Sequence, residues 1–281
     1  MRDALKYGLD FLDIKDETEK RANVEIMLSE IIGCKRSELM NLDCEISDDN
    51  KLLFENYLKR RALGEPLQYI LCETEFYGYK IRVNKNVLIP RPETEQLAER
   101  VITKIISSRE DRIKLLEIGT GSGCISIAIA KELEKRNIDY HITATDISDE
   151  AVKLASENVS LNNTKNIKLR IEDFLSVDSL KDYDYIVSNP PYIPKEDFLL
   201  LEADIKDYEP EVALTDNYDG LTFYRKMFSL LNEKLKPVKL FCEIGHEQKE
   251  KLELLLSENN IHEFKFHKDY NGIHRIMEVE I

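Results

Sequence analysis

Residues Leu115-Leu116-Glu117-Ile118-Gly119-Thr120-Gly121-Ser122-Gly123 send an apolar strand into a turn with glycine at every second position. A helix carrying Ile125, Ala128, Ile129 and Leu133 follows at once. Such glycines let the backbone come close to a ligand, and the helix N-terminus that follows favours a negative group. From Ile113 onward the same alternation repeats. Strands are expected over Lys114 to Ile118, His141 to Thr145, Ile167 to Arg170, Tyr183 to Ser188 and Lys239 to Ile244, with helical stretches between. That order predicts a mostly parallel α/β sheet. Two last strands, Phe264 to Lys268 and Ile273 to Val279, flank Asn271-Gly272, a strong hairpin signal, so the sheet is expected to end antiparallel.

The first quarter of the chain reads differently. Asn23 to Ile32 places Val24, Met27, Leu28, Ile31 and Ile32 at helical spacing and stops at Gly33. Ser37 is placed to cap a short helix, and Ser47 a longer one through Leu52, Leu53, Leu58 and Leu63 that ends at Gly64 before Pro66. Residues 1–72 are therefore expected to form a small helical bundle with a structural or substrate-docking role. Residues 73–92 read as a hairpin or extended linker around Gly78, closing on Pro90-Arg91-Pro92-Glu93. Residues 93–281 are expected to form a second, larger domain that carries the alternating strands and helices, opening with a helix that carries Leu97, Val101 and Ile105. Glu93 and Glu95 either steer a substrate or cap that helix.

Bulk properties narrow the function. A chain of 281 residues with a formal net charge of −14 lacks the basic balance on which nucleic-acid binders rely for phosphate neutralisation. Lys59-Arg60-Arg61 is the nearest basic cluster, and it reads better as cations at a helix C-terminus. No apolar run approaches the roughly 18–20 residues of a membrane span, and Met1 to Phe11 lacks a signal-peptide core. Five cysteines (Cys34, Cys44, Cys72, Cys124 and Cys242) form no C-x-x-C pair, which fits a reducing cytoplasm. The histidines show no metal-ligand spacing, and His246, after a strand, reads as a satisfied loop residue or as one facing the cleft.

Asn189-Pro190-Pro191-Tyr192 closes the fourth strand of the alternating region, where α/β sheets hold their ligands. A planar amide or ring-bound amino nitrogen attacks electrophiles poorly, because its lone pair is delocalised. A side-chain amide oxygen from Asn189 and the carbonyl of Pro190 can accept its two N–H hydrogens and favour charge building on it. Pro191 stiffens the loop, and Tyr192 supplies a flat face for stacking on a planar target. Upstream, the second strand ends at Asp146, about 25 residues past the middle glycine, where a carboxylate can accept both ribose hydroxyls of a nucleoside. Ser148 then caps a helix bearing Ala151, Leu154 and Ala155. Asp173-Phe174 follows the third strand, where an acid and a ring would meet adenine; alternatively Phe174 is core.

The loop spacing discriminates among ligands. A dinucleotide site requires G-x-G-x-x-G/A, and a phosphate-binding loop requires Gly-Lys-Ser/Thr; neither is present. G-x-G-x-G fits the loop that cradles the methionine part of S-adenosylmethionine in class I methyltransferases. Over nearly its whole length the chain resembles the peptide chain release factor glutamine methyltransferases. The resemblance rests on Arg61-Ala62-Leu63-Gly64-Glu65-Pro66-Leu67-Gln68-Tyr69-Ile70, Glu75-Phe76-Tyr77-Gly78 and Leu88-Ile89-Pro90-Arg91-Pro92-Glu93-Thr94-Glu95. It extends through the glycine loop, the Asn-Pro-Pro-Tyr run, Tyr208-Glu209-Pro210, Asp219-Gly220-Leu221 and Asn271-Gly272-Ile273-His274-Arg275.

The resemblance implies a Rossmann-like, mostly parallel seven-stranded sheet with a C-terminal antiparallel hairpin behind a helical bundle. It implies that Gly119, Thr120, Gly121, Ser122, Gly123, Asp146, Phe174 and Asn189 contact S-adenosylmethionine. Asn189, Pro190, Pro191 and Tyr192 would hold the target glutamine of a Gly-Gly-Gln motif, with Asn189, Pro190 and Tyr192 catalytic. Direct binding of nucleic acid is not expected. A nucleic-acid N-methyltransferase acting on adenine N6 or guanine N2 shares the Asn-Pro-Pro-Tyr logic and is the rival. Phe174 stands where tryptophan is common in the family, Glu117 where aspartate is, and Cys72 where glycine is frequent, while Thr215-Asp216-Asn217 replaces a glycine-richer stretch.

Overall fold

The structure, a computed structural model, describes residues 1–41, 46–231 and 237–281. The chain divides into two compact units: Met1–Cys72 with Ala203–Tyr208, and Glu73–Glu202 with Glu209–Ile281.

The first unit is built from α1 (Arg2–Phe11), α2 (Glu17–Ile32), α3 (Asp48–Ala62) and α4 (Leu67–Leu71). The second helix begins well ahead of the expected Asn23, because Asp16 caps it by accepting from the N–H groups of Thr18 and Glu19 at 2.8 and 3.0 Å. It ends at Gly33 in the left-handed conformation, φ 73°. Ser47 caps α3 by accepting from Asn50 N–H at 3.3 Å. The face that α3 buries, however, is Phe54 and Leu58, one turn apart and packed with Val24, Met27, Leu28 and Ile70. Leu52, Leu53 and Leu63 are exposed, correcting the expected stripe. They lie off the Phe54–Leu58 face or, for Leu63, past the end of the helix. In place of a helix capped by Ser37 there is a turn closed by Lys35 N–H on Glu38, then a 3₁₀ turn over Leu39–Asn41. Of the basic cluster, Arg60 grips Glu65 through two nitrogens and Arg61 reaches Asn23 and Glu19, so both guanidiniums fasten the bundle internally. Cys72 closes α4 at φ 60°, the left-handed conformation that explains why glycine suits this position. Cys34, Cys72, Cys124 and Cys242 are free thiols, and Cys44 lies outside the described residues.

The second unit opens with the hairpin β1 (Glu73–Phe76) and β2 (Tyr79–Arg82). Tyr77 and Gly78 both take positive φ, the geometry of a two-residue primed turn. Glu95 accepts from Tyr77 N–H at 2.7 Å, so its carboxylate braces this turn. After α5 (Pro92–Ser108), with proline at its start, come β3 (Arg112–Ile118), α6 (Cys124–Glu134), β4 (Asp139–Asp146), α7 (Asp149–Leu161), β5 (Ile167–Ile171) and β6 (Tyr185–Ser188). Short helices α8 (Lys195–Phe198), α9 (Ala203–Lys206) and α10 (Glu211–Leu214) lead to α11 (Thr222–Leu231), β7 (Lys239–Glu243), α12 (Lys249–Glu258), β8 (Phe264–Lys268) and β9 (His274–Glu280).

Strands β3 to β9 form one seven-stranded sheet in the order β5-β4-β3-β6-β7-β9-β8. Pairings from β5 to β7 are parallel, while β9 runs antiparallel to both β7 and β8. All four residues of β6 are buried, as expected of a central strand covered on both faces. The final hairpin forms with a different turn from the one Asn271-Gly272 suggests. Only Gly272 takes positive φ, and the Asp269 carboxylate closes the loop by accepting from the N–H groups of Asn271 and Ile273.

Candidate active site

Strands β3 and β6 lie side by side where the strand order reverses, the point at which open α/β sheets bind ligands beyond the strands' carboxyl ends. A cavity of about 510 Å³ opens there, lined by the glycine loop, the ends of β4 and β5, Asn189, Pro191 and residues between 211 and 223. That volume suits a small organic ligand.

Gly119, Gly121 and Gly123 take φ of 71°, 52° and 81°. At Gly121 a Cβ would meet nothing within 4 Å, so bare backbone faces open space; at Gly123 it would stand 3.2 Å from the Ala155 Cβ. Gly123 thus caps α6 and admits α7, while Gly119, Thr120, Gly121 and Ser122 line the cavity. The loop is held from three sides. Thr120 N–H donates to the Thr145 carbonyl at 2.9 Å, and Gly121 N–H to Asp146 Oδ2 at 2.8 Å. Buried Asn158 donates to the Ser122 carbonyl at 2.8 Å while pairing with both the N–H and C=O of Arg82 on β2.

Beneath the loop lies Glu117, wholly buried. Its Oε2 accepts from Thr120 Oγ1 at 2.8 Å and from Ser126 Oγ, while Oε1 has no partner among the described residues. Burial pushes this carboxyl up to about 7. Asp146, at the end of β4, lines the cavity with both oxygens already accepting one backbone N–H, from Gly121 and Ser148. Each oxygen keeps a further lone pair, and burial raises this carboxyl above the usual carboxylate range.

Phe174 belongs to the core, one of the two expectations for it, and its ring also walls the cavity. It lies parallel to Phe223 from α11, centroids 6.5 Å apart. Asp173 lines the cavity too, its two oxygens accepting from the Leu175 N–H and the Ser176 hydroxyl. His246 is exposed and lies outside the cavity lining.

The Asn189–Tyr192 run divides in two. Asn189 and Pro191 line the cavity, whereas Pro190 and Tyr192 do not. The Tyr192 ring packs against the core instead of presenting its face to the cavity, and its hydroxyl donates to Glu243 Oε1 at 3.2 Å. The expected stacking platform is therefore a brace at this cavity, because the buried carboxylate of β7 draws the phenol inward. Glu243 also accepts from Thr94 Oγ1 at 2.6 Å, and Asn189 Nδ2 donates to that same Thr94 oxygen at 3.2 Å. Burial raises the Glu243 carboxyl, opposed by Thr94, Tyr192 and the Arg275 charge. The loop is tied further by Gln248, whose Nε2 donates to the carbonyls of Tyr192 and Gly220. Thr215-Asp216-Asn217 is ordered by Asp216, which accepts from the N–H groups of Tyr218, Gly220 and Thr222. Sequence reasoning did not single out Glu243, Gln248 or Phe223, and it named Thr94 only within the Leu88 to Glu95 run, with no role of its own. Two runs it did single out meet as an ion pair, Arg91 with Glu209 at 2.6 Å.

The charged groups on the cavity wall are Asp146, Glu172, Asp173, Glu211 and Asp216 against Arg91, itself paired with Glu209. This lining suits a ligand bearing positive charge and is poorly suited to a polyphosphate. Sheet order, glycine loop and cavity position together define a class I S-adenosylmethionine-dependent methyltransferase. The family described as Methyltransferase small domain matches residues 96–201, and the one described as PrmC N-terminal domain matches residues 3–71. The chain is 38% identical to the release factor glutamine methyltransferase of Fusobacterium nucleatum subsp. nucleatum, over 98% of this chain and 77% of that one. It is 37% identical to that of Thermodesulfovibrio yellowstonii over 89% of each. It therefore belongs to the release factor glutamine methyltransferase family. Among solved structures, the hMettl16 catalytic domain in complex with MAT2A 3'UTR hairpin 6 shares the fold at a TM-score of 0.56 and 16% identity, covering 85% of both chains. Human methyltransferase 10 domain containing protein does so at 0.51 and 18%, over 72% of this chain and 90% of that one.

Proposed function

We propose that the chain methylates the side-chain amide (N5) of the glutamine in the Gly-Gly-Gln motif of peptide chain release factors. When bound, S-adenosylmethionine supplies an electrophilic methyl group on a sulfonium. Gly119 to Ser122, Asp146, Phe174 and Asn189 would hold it, Gly119 and Gly121 by close backbone approach and Asp146 through its remaining lone pairs, while Gly123, outside the cavity lining, would serve the loop by admitting α7. Asn189 Oδ1 and the Pro190 carbonyl would accept the two N–H groups of the target amide. Both acceptors oppose the positive charge that builds on the nitrogen, and that charge makes its N–H acidic enough to leave without a dedicated base. Positioning supplies the remainder, as effective molarities of up to about 10⁵–10⁸ M are available to well-oriented groups.

The observation that carries this reading is Asn189. It stands on the wall of the glycine-loop cavity with its Nδ2 occupied by Thr94. The family's curated members are named for glutamine in release factors, which favours that amide over a nucleobase. The net charge of −14 and the acidic cavity wall point the same way. In this reading residues 1–72 dock the protein substrate and residues 93–281 carry the chemistry. The setting is the cytoplasm, where free thiols persist. Among the described residues no helix is long and apolar enough to cross a membrane. Mass spectrometry after incubation with S-adenosylmethionine and an unmodified release factor tests the proposal. One methyl on the motif glutamine, absent in a Gln→Ala motif mutant, is the expected result; methylation of nucleic acid instead would overturn it.

A further inference from the structure

Thr94 has one hydroxyl proton, and it donates that proton to Glu243 Oε2 at 2.6 Å. The Thr94 oxygen is then left as an acceptor toward Asn189, 3.2 Å from Nδ2. A side-chain amide carries its nitrogen on one side and its oxygen on the other. Anchoring Nδ2 on Thr94 therefore leaves Oδ1 as the end that meets a substrate N–H. In the flipped amide, Oδ1 would confront a lone pair of Thr94, and the NH₂ would confront the N–H groups of the target. Glu243 is itself fixed: it is buried and takes the Tyr192 hydroxyl on its other oxygen, and while burial raises its carboxyl, Thr94, Tyr192 and the Arg275 charge all favour the ionised form.

We infer that Thr94 and Glu243 are positioning residues that select the orientation of the Asn189 amide, so that its oxygen faces the nitrogen to be methylated. The inference rests on the methyl-transfer reading given above. It assigns a role to a pair 149 residues apart in the chain, neither of which lies on the Asn-Pro-Pro-Tyr run.

Three variants test it: Thr94→Val, which keeps the shape and deletes the hydroxyl; Thr94→Ser, which keeps the hydroxyl; and Glu243→Gln, whose amide can donate back to Thr94. With S-adenosylmethionine and release factor saturating, Thr94→Val and Glu243→Gln are expected to lower kcat about 10–100-fold, as for loss of a preorganised polar contact. Their cofactor Kd stays within about threefold and Thr94→Ser keeps kcat within about threefold, because neither change touches the glycine loop. A Thr94→Val kcat equal to that of the parent overturns the inference. So does a Thr94→Ser kcat as low as that of Thr94→Val, since packing alone would then be at stake. The second readout is hydrogen exchange of the Asn189 side-chain NH₂ by nuclear magnetic resonance. Protection is expected in the parent and Thr94→Ser and lost in the other two. Equal exchange in all four proteins overturns the relay whether or not methyl transfer is seen. If protection follows the expected pattern while the parent leaves release factor unmethylated, the relay stands and the substrate assignment falls.

Discussion

Glu117 is a carboxylic acid placed where its ionised form is poorly solvated, and this has a measurable consequence for stability. Its carboxyl moves from an ordinary value of 4.5 to about 7, chiefly through burial, with the hydroxyls of Ser126 and Thr120 pulling the other way. A raised acid pKa means that the folded chain binds this proton more tightly than the unfolded chain. Below the unfolded value both states are protonated and nothing is lost. Between 4.5 and 7 the unfolded chain gives up the proton and the folded chain keeps it, so stability falls as pH rises, levelling off above 7. At about 1.4 kcal/mol per unit, the full fall is about 3 kcal/mol, most of it between pH 5 and pH 8. Glu117→Gln is neutral throughout. It carries a constant offset for its altered hydrogen bonds, but no slope from this site. The assay is urea unfolding of parent and variant across that range. Other titrating groups contribute to both proteins and cancel in the difference, which should move in favour of the glutamine by roughly 2–3 kcal/mol from pH 5 to pH 8. A difference that stays constant would refute the reasoning, and so would one that moves in favour of the glutamate.

Three further outcomes are expected. Asn189→Ala should lose at least about 10²-fold in turnover while cofactor affinity stays within about tenfold, on the scale of removing one preorganised polar group; steady-state kinetics with calorimetry checks this, and near-full activity would remove Asn189 from its role. Gly220→Ala should destabilise the chain by at least about 2 kcal/mol, because a left-handed residue gains a Cβ. That Cβ would stand 2.2 Å from the Tyr192 carbonyl oxygen at φ 78°, so an unchanged melting temperature would contradict the loop geometry. Asn158→Leu should cost about 2–4 kcal/mol in denaturant unfolding by stranding the buried Ser122 carbonyl and the part-buried backbone groups of Arg82 that it pairs with, and a loss below about 1 kcal/mol would show those groups finding other partners.

The parts of the fold that were legible in the sequence are those where one short-range rule dominates. A buried parallel strand is an apolar run bounded by turn residues, and each expected strand of the sheet is present, with ends differing by a residue or two. Helix α2 starts ahead of its apolar periodicity, which begins at Val24, because its start is set by a cap at Asp16. In the stretch capped by Ser47, the leucine pattern points to Leu52, Leu53, Leu58 and Leu63, but of these only Leu58 joins Phe54 in facing the bundle, a choice made by the neighbouring helices and not by α3 itself. Asn271-Gly272 signals the final hairpin, yet the turn belongs to Asp269, whose carboxylate closes the loop without requiring positive φ at asparagine.

The candidate site divides along the same line. Groups on the cavity wall sit on local signals: glycine at every second residue, an acid at a strand end, asparagine before two prolines. What orients those groups comes from distant segments, and no local pattern tells which group such a residue will orient. Thr94 reads as a helix-start threonine and Glu243 as the end of a strand; only the sheet order, which sets β7 beside β6, brings the second behind Asn189. Tyr192 shows the same effect in reverse. Its place in the Asn-Pro-Pro-Tyr run suggested a surface for the target, but a buried carboxylate one strand away turns its hydroxyl inward. A carboxylate without such partners would be strongly disfavoured at this depth, so Thr94 and Tyr192 serve Glu243 as much as it serves them. The three are therefore expected to fail together. Double-mutant cycles between Thr94→Val and Glu243→Gln should give a combined loss of kcat well short of the product of the single losses, because either change alone already releases the Asn189 amide. Fully multiplicative losses would mean that the two residues act on the reaction by separate routes.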